Sequence, residues 1–437
     1  MRWHNCGFGR VRIGLSLLLV VLILFSLGFG NSIMQFTVSA AGMWSMTYGG
    51  TGDDYGWGET VQTSDGGYAI TGDTNSSGAG GRDFWLIKTD ANGNMLWNKT
   101  YGGALDEECG VMCQTNDGGY AIAGYTKSFG VGGQDVWLVK TNSLGNMQWS
   151  NIYGGTGDEH ALSMVQTNDG GYAIVGVTSS FGAGGQDVWL VKTDTAGNMQ
   201  WNKTYGGNST DYGYGVVQAS DGGYAMAGYT HSFGAGGDDV WLVKTDTNGN
   251  MQWNKTFGGT GTEWAVYLVQ SSDGGYAIPA YTTSAGGGFR VYLVKTDSSG
   301  NLQWNKTYAG TGEVAHHAIQ TSDGGYALAG FKMAAGVGFL LIKTDASGNM
   351  QWNQTYPGAI LTDAAYSVIQ TNDGGYALTG NTKSFGAGGY DIYFIKTDEL
   401  GVVPEGLTIG VIMLLSTVAV TVSIRYFRKR HHPVPYL

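Results

Sequence analysis

The stretch Ala161–Tyr205, ALSMVQTNDGGYAIVGVTSSFGAGGQDVWLVKTDTAGNMQWNKTY, decides the fold of this chain. It contains four short runs that are typical of strands: Ala161–Thr167, Tyr172–Thr178, Asp187–Thr193 and Met199–Tyr205. Alternating β-branched and aromatic residues favour strands, and the Gly, Asn and Asp residues between them supply the positive φ angles that tight turns need. The stretch therefore predicts a four-stranded antiparallel sheet.

This pattern occurs seven times along the 437 residues. The Tyr of its Asp-Gly-Gly-Tyr segment recurs at spacings of 52 residues four times and then 50 residues twice. The seven tyrosines are Tyr68, Tyr120, Tyr172, Tyr224, Tyr276, Tyr326 and Tyr376. Four strands in about 50 residues is the size of a propeller blade. The sequence therefore predicts an all-β fold, a seven-bladed β-propeller with four-stranded blades.

The two ends of the repeat region predict how the ring closes. The chain enters it with a strand of the fourth type, Met43–Tyr48, and leaves it with a strand of the third type, Asp391–Thr397. Blade 7 lacks its own outer strand, and the N-terminal strand can supply it, which leaves no open sheet edge. We expect this closure, with the propeller spanning residues 42–400.

Both ends of the chain predict a membrane protein. Residues 1–41 combine a basic start, an apolar run and small residues, as a secretory signal does, with an uncleaved anchor as the alternative. After a short linker, 401–406, residues 407–424 are apolar and long enough to span the hydrocarbon core as a transmembrane helix. The basic tail, 425–437, belongs in the cytoplasm by the positive-inside rule. We therefore expect a single-pass protein of the cell membrane with an extracellular propeller.

Two resemblances agree with this topology. The phrases GGQDVWLVKTD and QTNDGGYAIVGVT resemble the bacterial and archaeal seven-bladed propeller repeats called SBBP, over about Met43–Asp398. That resemblance implies the fold and a surface location, and it leaves the ligand open. Pro404–Glu405, the apolar run and the basic tip resemble archaeal sorting tails of the PEF type, although Gly406 stands where those tails have Phe.

The charge distribution narrows the function. The net charge is −11, and all 34 acidic residues lie between the two basic ends, so the body repels nucleic acid phosphates. No nucleophile with an evident base and orienting acid emerges. We expect a non-enzymatic binding or adhesion module for surface proteins or glycans that needs no cofactor. The alternatives are an extracellular carbohydrate-active hydrolase or lyase with a pocket at the channel mouth, and a structural component of the envelope.

An acidic column is the candidate metal site. These residues stand seven positions before the Gln that ends the first strand of each repeat, and in a closed ring they would circle one channel mouth. Oxygen ligands of this kind suit Ca²⁺. The alternative is that each acid accepts hydrogen bonds from glycine N–H groups and holds its own loop. The column consists of Glu107, Glu159, Asp211, Glu263, Glu313 and Asp363, and blade 1 has Tyr55 in it, beside Asp53 and Asp54.

Departures from the repeat mark the candidate ligand site. Glu59, Tyr267 and His317 share the column three residues before the same Gln. Because inner strands converge on the axis, we expect these three to line a shared central pocket. His316 and Arg290, which replaces an Asp of the other blades, are further candidates for ligand binding. Drift in a tolerant scaffold is the alternative.

Overall fold

A computed structural model of the chain describes residues 43–308, 310–333, 337–358 and 363–403. This part contains thirty strands and no helix, so none of it offers a helix long and apolar enough to cross a membrane. The predicted signal, the predicted membrane helix at 407–424 and the basic tail all lie outside the described residues.

The strands form seven sheets of consecutive segments. Each sheet is antiparallel, and its strands run in order from the inner to the outer position. Blade 1 contains β2 (Asp54–Tyr55), β3 (Thr60–Gln62), β4 (Tyr68–Thr74), β5 (Asp83–Thr89) and β6 (Met95–Tyr101). Blade 2 contains β7 (Glu107–Gln114), β8 (Tyr120–Thr126), β9 (Asp135–Thr141) and β10 (Met147–Tyr153). Blade 3 contains β11 (Glu159–Gln166), β12 (Tyr172–Thr178), β13 (Asp187–Thr193) and β14 (Met199–Tyr205). Blade 4 contains β15 (Asp211–Gln218), β16 (Tyr224–Thr230), β17 (Asp239–Thr245) and β18 (Met251–Phe257).

The remaining three blades follow the same plan. Blade 5 contains β19 (Glu263–Ala265), β20 (Val269–Gln270), β21 (Tyr276–Thr282), β22 (Arg290–Thr296) and β23 (Leu302–Thr307). Blade 6 contains β24 (Glu313–Gln320), β25 (Tyr326–Lys332), β26 (Gly338–Thr344) and β27 (Met350–Pro357). Blade 7 contains β28 (Ala364–Gln370), β29 (Tyr376–Thr382), β30 (Asp391–Lys396) and, as its outer strand, β1 (Trp44–Tyr48).

The predicted closure of the ring is confirmed. Strand β1 pairs antiparallel with β30, with Trp44 opposite Lys396 and Tyr48 opposite Ile392. Seven buried apolar clusters lie between consecutive blades, and one of them joins Ile70 of blade 1 to Phe394 of blade 7. The second and third strands supply most of each core, because they are covered on both faces by neighbouring blades.

The repeated polar residues join the strands on one side of the disc, which we call the turn face. It carries the Asp-Gly-Gly turns and the turns between third and fourth strands. The buried Lys192 reaches Asp169 of its own blade at 2.8 Å, and each of the seven blades has this ion pair. The Tyr205 hydroxyl donates to the Gly249 carbonyl of the next blade at 2.6 Å. Conserved spacing in the repeat thus reflects contacts that hold the ring together.

The opposite side, the loop face, carries the glycine-rich loops between second and third strands and between consecutive blades. The backbone N–H of Gly81 in one loop type donates to the Leu105 carbonyl in the other at 3.2 Å. Both described ends of the chain, at Met43 and Val403, belong to the turn face, since Trp44 pairs beside Lys396 and Val403 follows the Asp398 turn.

Candidate functional site

The acidic column lies at the start of the inner strands, and its carboxylates turn into their own loops. Glu159, which is fully buried, accepts hydrogen bonds from the Gly155 N–H at 2.7 Å, the Thr178 hydroxyl at 2.8 Å and the Ser180 N–H at 3.1 Å. Glu107 and Glu263 have equivalent partners. Asp211 and Asp363 accept hydrogen bonds from serine hydroxyls and backbone N–H groups of their loops. Glu313 forms an ion pair with Lys332 at 3.1 Å. In the part of the chain described, no three His, Cys, Asp or Glu side chains form a group suited to a metal ion.

In blade 1 this position belongs to Asp54. Asp54 pairs opposite Thr74 as Glu107 pairs opposite Thr126, and its carboxylate accepts the Gly50 N–H at 2.7 Å. Counting back from Gln62 points to Tyr55 instead, because the inner strand of blade 1 contains one extra residue and is split into β2 and β3.

Five of these acids face a second carboxylate across a glycine at the junction between blades. A Cβ atom added to Gly206 would lie 1.8 Å from Asp187 Oδ1 and 2.8 Å from Asp211 Oδ2. Neither carboxylate is more than 1% exposed. Burial and the charge of Asp211 raise the pKa of Asp187. The five pairs are Asp83–Glu107, Asp135–Glu159, Asp187–Asp211, Asp239–Glu263 and Asp391–Asp54. The acidic column therefore contributes to the interfaces between neighbouring blades.

Three of the candidate ligand-binding residues meet near the propeller axis. The Tyr267 hydroxyl donates to Glu59 Oε1 at 2.9 Å, although the two residues belong to blades 5 and 1. The ring of His317 lies 4.0 Å from that of Tyr267, centroid to centroid. His317 Nδ1 accepts the Val368 N–H at 3.3 Å, so Nε2 carries the proton, and Nε2 is buried without a partner among the described residues. The column predicted from the sequence thus forms one cluster, which we call the axial cluster.

Burial governs the acid–base behaviour of the axial cluster. It raises the pKa of Glu59 to about 7, and the hydrogen bond from Tyr267 opposes this rise. Burial lowers the pKa of His317 to about 3, so this imidazole is neutral at physiological pH. The cluster therefore combines a carboxyl group that titrates near neutrality with a phenol and a fixed N–H donor.

The other two candidates lie elsewhere. His316 contacts Phe331 and Tyr366, with ring centroids 5.4 and 4.7 Å away, and Tyr366 stacks on Trp57 at 5.5 Å. Arg290 begins β22 on the loop face, where its Nε donates to the Gly286 carbonyl at 3.3 Å. None of the contacts described for Arg290 involves the axial cluster.

Exposed aromatic side chains on and near the loop face were not predicted from the sequence. Trp57 is 37% exposed, and five phenylalanines of the glycine-rich loops are 38–46% exposed. Each phenylalanine packs one side against an aromatic residue of its own blade, as Phe233 does against Trp241 at 5.5 Å. The five are Phe129, Phe181, Phe233, Phe289 and Phe385. The Ser-Phe-Gly segment, which contains four of the five, was the available signal, because large apolar residues recurring in exposed polar loops indicate a binding surface.

Blade 4 adds a polar cleft of about 430 Å³ to this face. Its lining residues are Ser209, Thr210, Tyr229, His231 and Asp238. Asp238 accepts hydrogen bonds from His231 Nδ1 at 2.9 Å and from the Trp264 indole of blade 5 at 2.6 Å. Tyr229 is held between Tyr212 and Trp264, whose rings stack on it at 5.1 and 5.0 Å. The cleft thus has firmly held walls and a fixed carboxylate.

Comparison with solved structures supports the fold. The WD40 domain of Neurospora crassa Pan2 matches with a TM-score of 0.50 at 11% identity, covering 79% of this chain and 89% of that one. Chaetomium thermophilum Sqt1 matches with a TM-score of 0.51 at 11% identity, covering 83% and 97%. A polysaccharide lyase, the PL25 ulvan lyase bound to -[GlcA(1-4)Rha3S]-, matches with a TM-score of 0.50 at 11% identity, covering 82% and 97%.

The chain is a seven-bladed β-propeller. At these identities the likeness extends to the fold alone, and propellers of this kind carry varied functions. No family model and no curated protein matches the chain.

Proposed function

We propose that this protein is a cell-surface binding module that uses the loop face of its propeller to hold glycans. The observation that carries the proposal is the set of five partly exposed phenylalanines on that face, together with the partly exposed Trp57 in the inner part of blade 1. Aromatic rings offer a flat apolar surface that fits the C–H face of a sugar, and nearby polar groups fix its hydroxyls. The ulvan lyase shows that a propeller of this fold can hold a polysaccharide, and it assigns no residue here.

The proposed location rests on the sequence. The predicted signal and the apolar segment at 407–424, followed by a basic tail, favour a single-pass anchor with the propeller outside the cell. The SBBP-like repeats and the tail that resembles the PEF type fit a surface protein. The described ends lie on the turn face, on the other side of the propeller from the glycine-rich loops.

A glycan array tests this function, with the full-length protein in detergent and two loop-face variants, Trp57→Ala and Phe181→Ala/Phe233→Ala. We expect each variant to weaken binding at least about tenfold, or about 1.4 kcal/mol. Leu144→Ala is the matched control, because Leu144 is 62% exposed on the turn face, and it should bind as the wild type does. Binding that survives both loop-face changes, or capture of surface proteins and no glycan, would contradict the proposal.

An enzyme is the second candidate, and the axial cluster is the observation that favours it. A carboxyl group that titrates near pH 7 beside a phenol and an imidazole is suited to general acid–base chemistry. Release of new reducing ends from a polysaccharide by the wild type, and its loss in Glu59→Gln, would identify a carbohydrate-active enzyme. A structural envelope component is the remaining alternative, and lateral self-association in sedimentation would support it.

A further inference from the structure

The blade 4 cleft, lined by Ser209, Thr210, Tyr229, His231 and Asp238, differs from the same place in the other blades. The positions of His231 and Asp238 are occupied in blade 3 by Ser179 and Gln186, and in blade 2 by a lysine and a glutamine. The His–Asp pair therefore belongs to this blade and not to the repeat. Both positions vary from blade to blade, with Asn75 and Arg82 in blade 1 and Lys383 and Tyr390 in blade 7, so the cleft is a combination of side chains that belongs to blade 4.

The cleft presents unused hydrogen-bonding groups. The hydroxyls of Ser209, Thr210 and Tyr229 make no side-chain hydrogen bond within the described residues, and all three side chains are partly exposed. The Asp238 carboxylate accepts hydrogen bonds from the His231 ring and the Trp264 indole, which orient it. Three free hydroxyls around a fixed carboxylate match a ligand that carries several hydroxyl groups of its own.

The charges of the loop face decide which ligand fits. The cleft holds one carboxylate and no lysine or arginine. Elsewhere on this face Arg82 pairs with Glu108 at 3.0 Å and Lys127 with Asp106 at 3.1 Å. Lys332 is paired with Glu313 in the same way. An acidic sugar would meet the Asp238 carboxylate, and the lining contains no lysine or arginine to offset the repulsion.

We infer that the cleft is a subsite for a saccharide without acidic groups, whose adjacent hydroxyls donate to Asp238 and exchange hydrogen bonds with Ser209 and Thr210. Phe233, two residues after His231 and 45% exposed, stands beside the cleft on the same loop and offers an apolar surface to the ring. This inference rests on the proposed function and goes further, since it names the blade, the residues and the class of sugar. It also separates this chain from the ulvan lyase, whose ligand contains GlcA and Rha3S.

Binding of the full-length protein in detergent to immobilised neutral polysaccharides, dextran and mannan, and to acidic ones, alginate and heparin, tests the inference. Expression in a host without N-glycosylation keeps the cleft clear, because Asn208-Ser209-Thr210 is a sequon. We expect at least one neutral polysaccharide to bind and the acidic ones to bind at least about tenfold more weakly. Asp238→Asn and Ser209→Ala/Thr210→Val should each weaken neutral binding about tenfold. Ser179→Ala, the matched position in blade 3, should not.

Each other outcome counts against the inference in a different way. Tighter binding of alginate or heparin, lost at high salt, would show that the site takes acidic ligands. Neutral binding that depends on Trp57 but not on Asp238 or Thr210 would leave the loop face as the glycan surface and overturn the cleft. No binding of any polysaccharide would overturn the proposed function together with the inference.

Discussion

The glycine between the paired carboxylates of a blade junction is a residue whose replacement should destabilise the protein. In Gly206→Ala the new Cβ would lie 1.8 Å from Asp187 Oδ1, much closer than two such atoms can approach. Asp187 must then move, and its hydrogen bond from the Ala183 N–H, 2.7 Å long, would be strained or lost. Overpacking costs about 1–3 kcal/mol, and a buried polar group that loses its partner costs about 1–3 kcal/mol. We therefore expect a loss of about 2–6 kcal/mol in the free energy of unfolding.

The sequence itself suggests the rescue. At the two junctions without the pair, the aspartate is replaced by Arg290 or Gly338, and the residue in the place of Gly206 is Ala309 or Pro357. Aspartate and glycine thus change together, as expected if the carboxylate fills the space that a side chain would need. Asp187→Gly should therefore remove most of the cost of Gly206→Ala, and a double-mutant cycle should give a coupling of about 1–2 kcal/mol.

Equilibrium unfolding of the full-length protein in urea, followed by tryptophan fluorescence, measures each free energy in the cycle. The three variants and the wild type should share one slope, so that their midpoints compare directly. Additive effects, with a coupling below about 0.5 kcal/mol, would refute the reasoning, because Asp187 would then not be what excludes a side chain at Gly206. So would a Gly206→Ala variant as stable as the wild type.

Two further predictions concern hydrogen bonds that the repeat makes or omits. Tyr205→Phe should lower the free energy of unfolding by about 1–3 kcal/mol, because it leaves the Gly249 carbonyl without its donor at 2.6 Å. Phe257→Tyr should raise the free energy of unfolding by about 0.5–1.5 kcal/mol, because it supplies the hydroxyl that blade 4 lacks. A change of the opposite sign for either variant, in the same urea assay, would contradict these roles. Relative to the wild type, Glu59→Gln should be more stable at pH 8.5 than at pH 5.5. The folded pKa of Glu59, about 7, lies above its unfolded value, so this carboxyl group stabilises the wild type fully below about pH 4, and the stabilisation is lost as the pH rises through 7. Parallel pH profiles of the melting temperature for the two proteins would exclude this.

Regular spacing made the fold predictable. A residue that recurs along the repeat makes the same contact wherever it occurs: Lys192 binds Asp169 of its own blade, and Tyr205 donates to the next blade. Strand order and closure follow from that regularity. The alternative interpretation of the acidic column, as a set of loop-holding carboxylates, describes the hydrogen bonds around Glu159. The Ca²⁺ prediction for this column stays a prediction.

Contacts across a junction were harder to foresee. Asp187 and Asp211 are 24 residues apart, and each has an adequate explanation within its own loop, so nothing in the sequence says that they face each other. In blade 1 an extra residue shifted the count from Asp54 to Tyr55. The blade 4 cleft was missed because it joins a loop before the inner strand to a loop after the second strand. Such pairs become neighbours only when the strands are placed in space.

The axial layer explains where this scaffold can vary. On the turn face the ion pair between lysine and aspartate recurs in all seven blades, so this part of the blades is alike. The residues that stand three positions before the repeated Gln are different, because their side chains point from the seven inner strands towards the same axis. They are Glu59, Val111, Ser163, Gly215, Tyr267, His317 and Ser367. The large Tyr267 reaches across to Glu59, and Gly215 has no room for a side chain, since an added Cβ would lie 2.5 Å from the Leu268 nitrogen. Side chains that meet near one axis must differ between blades that are otherwise alike. Asymmetry at this column is therefore evidence of packing, and it becomes evidence of chemistry only if Glu59 is required for an activity.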